Sequence, residues 1–271
     1  TYKTQLITIS EQGCSDTANK TIEDFDMPEV KFDINDICVY DTAVFTDYST
    51  FTHGATTARF WQLGDGYTDT AEAPKHKYNV LGSYLVKLKV EVSQHCIDSA
   101  QKTITIYPRP KADFYFDDQC VKRLVTFTDT STVNFGSVVS RDWELSGKKD
   151  TGKVVSNLYY TEGKRDIQLV VASQFGCKDT LVKSLTVHPE PTAAFSANEV
   201  CLRDTTQFTD NVTLSNGSVV SYQWVFDDGY TGSGKNITHV YRNWGDYSVE
   251  LIATSDKGCI NNTKKTVRVN P

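Results

Sequence analysis

The chain has 271 residues, with 28 Lys and Arg against 34 Asp and Glu, a formal net charge of −6 and a pI near 5.4. Acidic and basic residues are interspersed, which argues against nucleic acid or an anionic membrane as partner. No apolar stretch approaches bilayer-spanning length and no signal peptide is visible, so direct membrane insertion is not expected.

From the N-terminus, Leu6–Ser10 alternates apolar and polar residues and leads to Gly13-Cys14-Ser-Asp-Thr17. This is the last third of a unit of about 80 residues that follows three times in full. The cysteines expose the period. Cys38, Cys120 and Cys201 are spaced by 82 and 81 residues, and Cys14, Cys96, Cys177 and Cys259 by 82, 81 and 82. Each first cysteine opens a segment ending in Phe-Thr-Asp (Phe45–Asp47, Phe127–Asp129, Phe208–Asp210), and fourteen residues beyond each Asp stands Trp61, Trp143 or Trp224. Next come Lys75-His76-Lys77-Tyr78, Ser156-Asn157-Leu158-Tyr159-Tyr160 and Thr238-His239-Val240-Tyr241, then Gly82, Gly163 and Gly245. An alternating run then reaches the second cysteine. The expected boundaries are 1–27 for the end of a truncated repeat, then 28–109, 110–190 and 191–271 for complete ones, and the chain reads as a slice of a longer array. Prolines mark each junction (Pro28, Pro108 and Pro110, Pro189 and Pro191), which favours short, extended linkers.

No segment sustains a 3.6-residue period, whereas period-two pairs recur at Ile104/Ile106, Leu169/Val171, Val249/Leu251 and Val267/Val269. Short strands punctuated by Gly, Asn and Asp imply an all-β chain of tandem Ig-like antiparallel sandwiches, arranged as an elongated array. A unit this small buries little core, so a covalent staple is expected. The expected pairs lie within each repeat, Cys38–Cys96, Cys120–Cys177 and Cys201–Cys259, with the partner of Cys14 upstream of the segment. The repeated Trp is expected in the core, near that disulfide. Trp244, at the position of Leu81, has no aromatic counterpart and is the one aromatic nominated for ligand contact.

Trp61-Gln-Leu-Gly64-Asp65-Gly66, Pro74-Lys-His76-Lys-Tyr78 and Gly82-Ser-Tyr84-Leu-Val86 resemble the polycystic-kidney-disease (PKD) domain. Trp224-Val-Phe226-Asp-Asp228-Gly229, His239-Val-Tyr241 and Gly245-Asp-Tyr247-Ser-Val249 match nearly as well. The middle copy departs: Trp143-Glu-Leu145-Ser-Gly147 lacks Asp-Gly, and the His position reads as Leu158. The resemblance implies a PKD-type sandwich of about seven strands. The added cysteines, Phe-Thr-Asp and Gly-Cys-x-Asp-[Ser/Thr] resemble PKD arrays in large surface proteins of Bacteroidota, including gliding-motility adhesins exported by type IX secretion. In that setting Asp-[Ser/Thr] followed by an apolar residue or Thr implies O-glycosylation, here at Thr17, Thr42, Thr70, Ser99, Thr180 and Thr205.

Catalytic signals are missing. The Asp-Gly motif is a turn signature, absent from one copy, and the histidines form no zinc set. Asp65, Asp69, Asp227 and Asp228 are weak calcium candidates lacking the ligand density of an EF-hand loop. The expected function is a non-enzymatic, extracellular stalk or filament of a bacterial surface adhesin displaying a distal binding region. Its partners would be neighbouring repeats and surface polysaccharide or other cell-surface components. The alternative is a substrate- or glycan-binding accessory module of a secreted hydrolase.

Overall fold

The computed structural model describes residues 1–52, 54–93 and 95–271; His53 lies outside them. Every regular element among these is a β-strand. Among the described residues no helix is long and apolar enough to cross a membrane. Three hydrophobic cores succeed one another along the chain, spanning Val30–Ile106, Ala112–Val187 and Phe195–Val269.

Each core lies between a five-stranded sheet and a facing layer of short strands, which in the first complete repeat is two separate pairs, Phe32–Asp33 with Thr46–Asp47 and Thr42–Val44 with Lys75–Lys77. In the first complete repeat the larger sheet orders its strands as Ile37–Cys38, Ile97–Tyr107, Gly82–Val92, Thr56–Gln62 and Thr68–Asp69. The other two repeats reproduce this order. The facing sheet in the second repeat is Phe114–Tyr115, Leu124–Asp129 and Val154–Leu158; in the third it is Phe195–Ala197, Thr205–Asp210 and Ile237–Val240. Alternation drives this layering. In Gly82–Val92, Val86, Leu88, Val90 and Val92 are buried while Lys87 and Lys89 face solvent. The period-two pairs read from the sequence are all buried.

The repeated tryptophans are the largest buried side chains. Trp61 meets Phe32 edge-on at 5.3 Å and Phe45 at 5.7 Å; Trp143 meets Phe114 and Phe127, and Trp224 meets Phe195 and Phe208. Each indole N–H donates to a carbonyl of the following loop: Ala71, Gly152 and Gly234, at 2.9–3.0 Å. The Asp of Phe-Thr-Asp pins the same layer from outside. Asp47 accepts from Ser49 N–H and from Arg59 Nε at 2.8 and 2.6 Å. Burial pushes its carboxyl upward, but the Ser49 and Arg59 bonds outweigh that and hold it below the usual range. Arg141 and Asp129 repeat the pair at 2.5 Å.

The disulfides differ from the expected pattern. They join Cys38 to Cys177 and Cys120 to Cys259, each across 139 residues with Cα atoms 5.6 Å apart. The pairs Cys38–Cys96, Cys120–Cys177 and Cys201–Cys259 are therefore not formed, and the tryptophans do not pack on a disulfide within the core. The cause is strand length. Cys38 pairs in register with Tyr107 at one end of an 11-residue strand, and Cys96 immediately precedes the other end. Eleven residues of extended chain span roughly 36 Å, far beyond the reach of a disulfide, which needs Cα atoms within about 7 Å. Cys120 pairs with His188 and Cys201 with Asn270 in the same way.

The residues form two compact units. One comprises Thr1–Arg109 together with Val133–Gly136 and Gln174–Cys177; the other comprises Pro110–Thr132, Ser137–Ser173 and Lys178–Pro271. Each unit holds one disulfide. In the chain-entropy account, closing a loop of 139 residues stabilises by about 5 kcal/mol, strain aside. The first unit also carries the antiparallel hairpin of Tyr2–Ile9 and Ser15–Ile22, exposed along its whole length.

Candidate functional site

The acidic turns are internally satisfied. Asp65 accepts from Tyr67 N–H at 3.0 Å through one oxygen and meets His76 Nε2 at 2.6 Å through the other. Asp228 does the same with Tyr230 N–H at 3.2 Å and His239 Nε2 at 2.7 Å. Each His also meets aromatic rings: His76 stacks on Tyr67 and meets Tyr78 edge-on, and His239 stacks on Phe226 and meets Tyr241 edge-on. Burial raises the Asp65 carboxyl, yet the Tyr67 and His76 bonds outweigh it and leave it depressed. Tyr78 donates its hydroxyl to the Leu63 carbonyl at 2.7 Å, and burial pushes its ionisation upward. Asp69 caps Thr70 and Ala71 N–H, and Asp227 accepts from Ser248 N–H. Among the described residues no three His, Cys, Asp or Glu converge as a metal-ligand group.

Strand pairing corrects one alignment in the middle repeat. Val125 faces Asn157 as Ala43 faces His76 and Thr206 faces His239, so the His position is Asn157 and not Leu158. Asn157 donates to the Leu145 carbonyl at 3.1 Å, and the turn tightens so that Leu145 N–H bonds to Lys148. The middle copy has thus replaced both members of the Asp–His pair. This joint loss is the sequence signal that marks Asp65–His76 and Asp228–His239 as pairs.

Thr17, Thr42, Thr70, Ser99, Thr180 and Thr205 are all exposed. The acidic residue after the second cysteine has a structural task of its own. Asp179 accepts from Ala112 N–H at 2.8 Å, and Asn261, at the same place in the next repeat, donates to the Pro191 carbonyl at 2.8 Å. Each ties the start of the last strand to the linker that enters its repeat.

The cysteine positions define two poles of every repeat. At one, the first cysteine pairs beside the last strand's end, and the next residue's N–H donates to that strand: Val39 to Tyr107, Val121 to His188, Leu202 to Asn270, at 2.8–2.9 Å. At the other, the second cysteine sits in a tight turn with a left-handed residue before it. That residue is Gly13, His95, Gly176 or Gly258, with φ of 82°, 58°, 80° and 75°; glycine adopts this conformation without strain. In the first unit the Cys38–Cys177 bond is flanked by Tyr107 stacked on Phe175 at 4.0 Å, with Phe135 also stacked on Phe175 at 5.7 Å. In the second unit Cys120–Cys259 is accompanied by Ser215 Oγ donating to Glu162 at 2.8 Å and by Lys122 with Glu190 at 3.4 Å. Cys177 and Cys259 are buried, whereas Cys14 and Cys201 are exposed thiols.

Trp244 is 65 % exposed and directly precedes Gly245, which pairs with Val269 beside the Cys201 strand. It occupies the position of Glu162, the residue that Ser215 contacts in the second unit. The sequence-nominated ligand aromatic therefore lies at a cysteine pole.

Residues 26–106 and 186–270 match the family model described as PKD domain. The chain belongs to the PKD-domain family. The stretch between these matches is the copy that lost the Asp–His pair. Over 127 residues the chain is 32% identical to the pre-pro-metalloprotease PrtV of Vibrio cholerae, a stretch covering 45% of this chain and 13% of that protein. It is 42% identical over 65 residues to collagenase ColA of Bacillus cereus, covering 23% and 7% respectively. The solved PKD1 domain of the Vibrio cholerae metalloprotease PrtV is 27% identical, covering 30% of this chain and 98% of that domain, with a TM-score of 0.28. The PKD chain thus spans a small part of the length of the curated relatives it matches.

Because the Asp65 carboxyl is depressed in the folded state, its stabilisation is complete above the unfolded value of 3.8 and is lost as pH falls through the folded value. We expect Asp65→Asn to cost about 1.5 kcal/mol near neutral pH and the gap to the parent to close below about pH 4. Urea melts across pH 2.5–7 (roughly the window set by these carboxylates) check this; a pH-independent gap would contradict it.

Proposed function

We propose that this PKD array is a non-enzymatic extracellular spacer, part of the stalk of a large bacterial surface adhesin that holds a distal binding region away from the cell. The observation that carries this reading is the disulfide pattern. Each bond ties one repeat to the next, so stabilisation goes into the junctions that a stalk must hold, and such bonds persist only in an oxidising compartment. Retention of both cysteines in the copy that lost the Asp–His pair supports the same emphasis. The cysteine grid and the Gly-Cys-x-Asp-[Ser/Thr] ending support parentage among the surface proteins of Bacteroidota exported by type IX secretion, with roles in adhesion or gliding motility. In such a parent the six exposed hydroxyls are O-glycan acceptors, and intact-mass spectrometry of native protein should show excess mass at them; an unmodified mass removes that part of the proposal.

A second reading is favoured by the relatives. Those matched include a metalloprotease and a collagenase, so an accessory module of a secreted hydrolase is the competing role. The two readings separate in a pull-down on insoluble collagen, cellulose and chitin. The spacer leaves the chain unretained; strong retention that Trp244→Ala abolishes would establish the accessory role instead.

A further inference from the structure

We infer that the pole of the third repeat formed by Cys201, Asn270 and Trp244 is a docking face for a further PKD repeat joined in tandem after Pro271, and that Cys201 forms a disulfide with the cysteine in that repeat's tight turn. The inference deepens the spacer reading by naming the partner of this pole. Three independent observations converge on it.

The pole is built as its two bonded counterparts are. Cys201 pairs with Asn270 as Cys38 does with Tyr107 and Cys120 with His188, and Leu202 N–H closes the same bond to the last strand at 2.8 Å. At both counterparts the cysteine is bonded to the second cysteine of the next repeat; at the third it is an exposed thiol. The surface across the last strand from it, at the same pole, fits the same partner. Trp244 stands where Glu162 receives Ser215 from the following repeat, and it is 65 % exposed. A large, bare aromatic at the place where the preceding junction makes its contact is surface suited to burial against a protein. Finally, the matching half is present in every copy of the unit. The turns at Cys14, Cys96 and Cys259 share one main-chain pattern, in which the residue four before the cysteine donates to its carbonyl at 2.8–3.1 Å. In the bond itself two thiols become one disulfide. The two electrons and two protons pass to a disulfide oxidant such as oxidised glutathione, which leaves as two thiols.

The test lengthens the full chain after Pro271 with a second copy of residues 109–189. Pro271 holds the position of Pro108, so the added Cys177 stands at the same 139-residue separation from Cys201 as in the two existing bonds. After oxidation in a glutathione buffer, unreduced peptide mapping should yield Cys201 joined to the added Cys177, with alkylation of Cys201 at least about tenfold slower than in the parent because a disulfide sulfur offers no thiolate to the reagent. Changing the added Cys177→Ser should restore the parent rate. A second lengthened chain, carrying residues 190–271, provides an independent repeat should the first fail to fold. Cys201 as reactive as in the parent in both lengthened chains overturns the inference. So does Cys201 bonded to Cys14 of a second copy, or an added cysteine pair bonded within its own repeat. None of these outcomes depends on retention by collagen or polysaccharide, so this inference and the spacer reading fail separately.

Discussion

The length of one strand governs how this molecule is held together. The last strand of each repeat runs 11 residues, and the two cysteine positions lie at its opposite ends. A sandwich with that strand intact keeps its own cysteines roughly 36 Å apart, so a disulfide can be made only with a neighbour. Covalent reinforcement therefore acts at the junctions, where it adds to Pro-x-Pro linkers and a few side-chain contacts such as Tyr107 on Phe175 and Ser215 to Glu162. Each repeat interior relies instead on Trp, two Phe rings and the alternating strands packed around them.

This division explains how the copies diverged. The middle repeat has Asn157 in place of the histidine and a shorter turn in place of Gly-Asp-Gly, yet its Trp143 core and both of its cysteines remain. The Asp–His pair stabilises one loop and is replaceable by a tighter turn with an amide donor. A cysteine is not replaceable in this way, because its loss leaves a thiol on the adjacent repeat without its partner. In a tandem array each unit answers mainly to its neighbours, and the disulfides make that dependence covalent.

Much of this was legible in the residues. Period-two alternation placed Val249, Leu251, Val267 and Val269 on the buried face, and the repeated Trp, Phe-Thr-Asp and PKD motifs specified the sandwich. The disulfide partners were not legible, because a perfectly periodic grid supports a bond within a repeat and a bond to the next repeat equally well. Choosing between them requires knowing that Cys38 and Cys96 sit at opposite ends of Ile97–Tyr107, which depends on the parallel pairing of Ile37–Cys38 at that strand's far end. The placement of Trp244 was hidden for the same reason: in sequence it is an isolated aromatic, and only the fold sets it at the same pole as Cys201, across the last strand. The Asp65–His76 pair was readable in principle, since the middle copy lost both partners together; misalignment by one residue hid only that an amide, Asn157, stands in for the histidine.

The junction disulfides are the central claim, and unreduced peptide mapping of the oxidised chain, with free thiols blocked before digestion, tests them most directly. The account predicts cross-linked peptides joining Cys38 to Cys177 and Cys120 to Cys259, and a blocked thiol at Cys201. Peptides joining Cys38 to Cys96, Cys120 to Cys177 and Cys201 to Cys259 would contradict it.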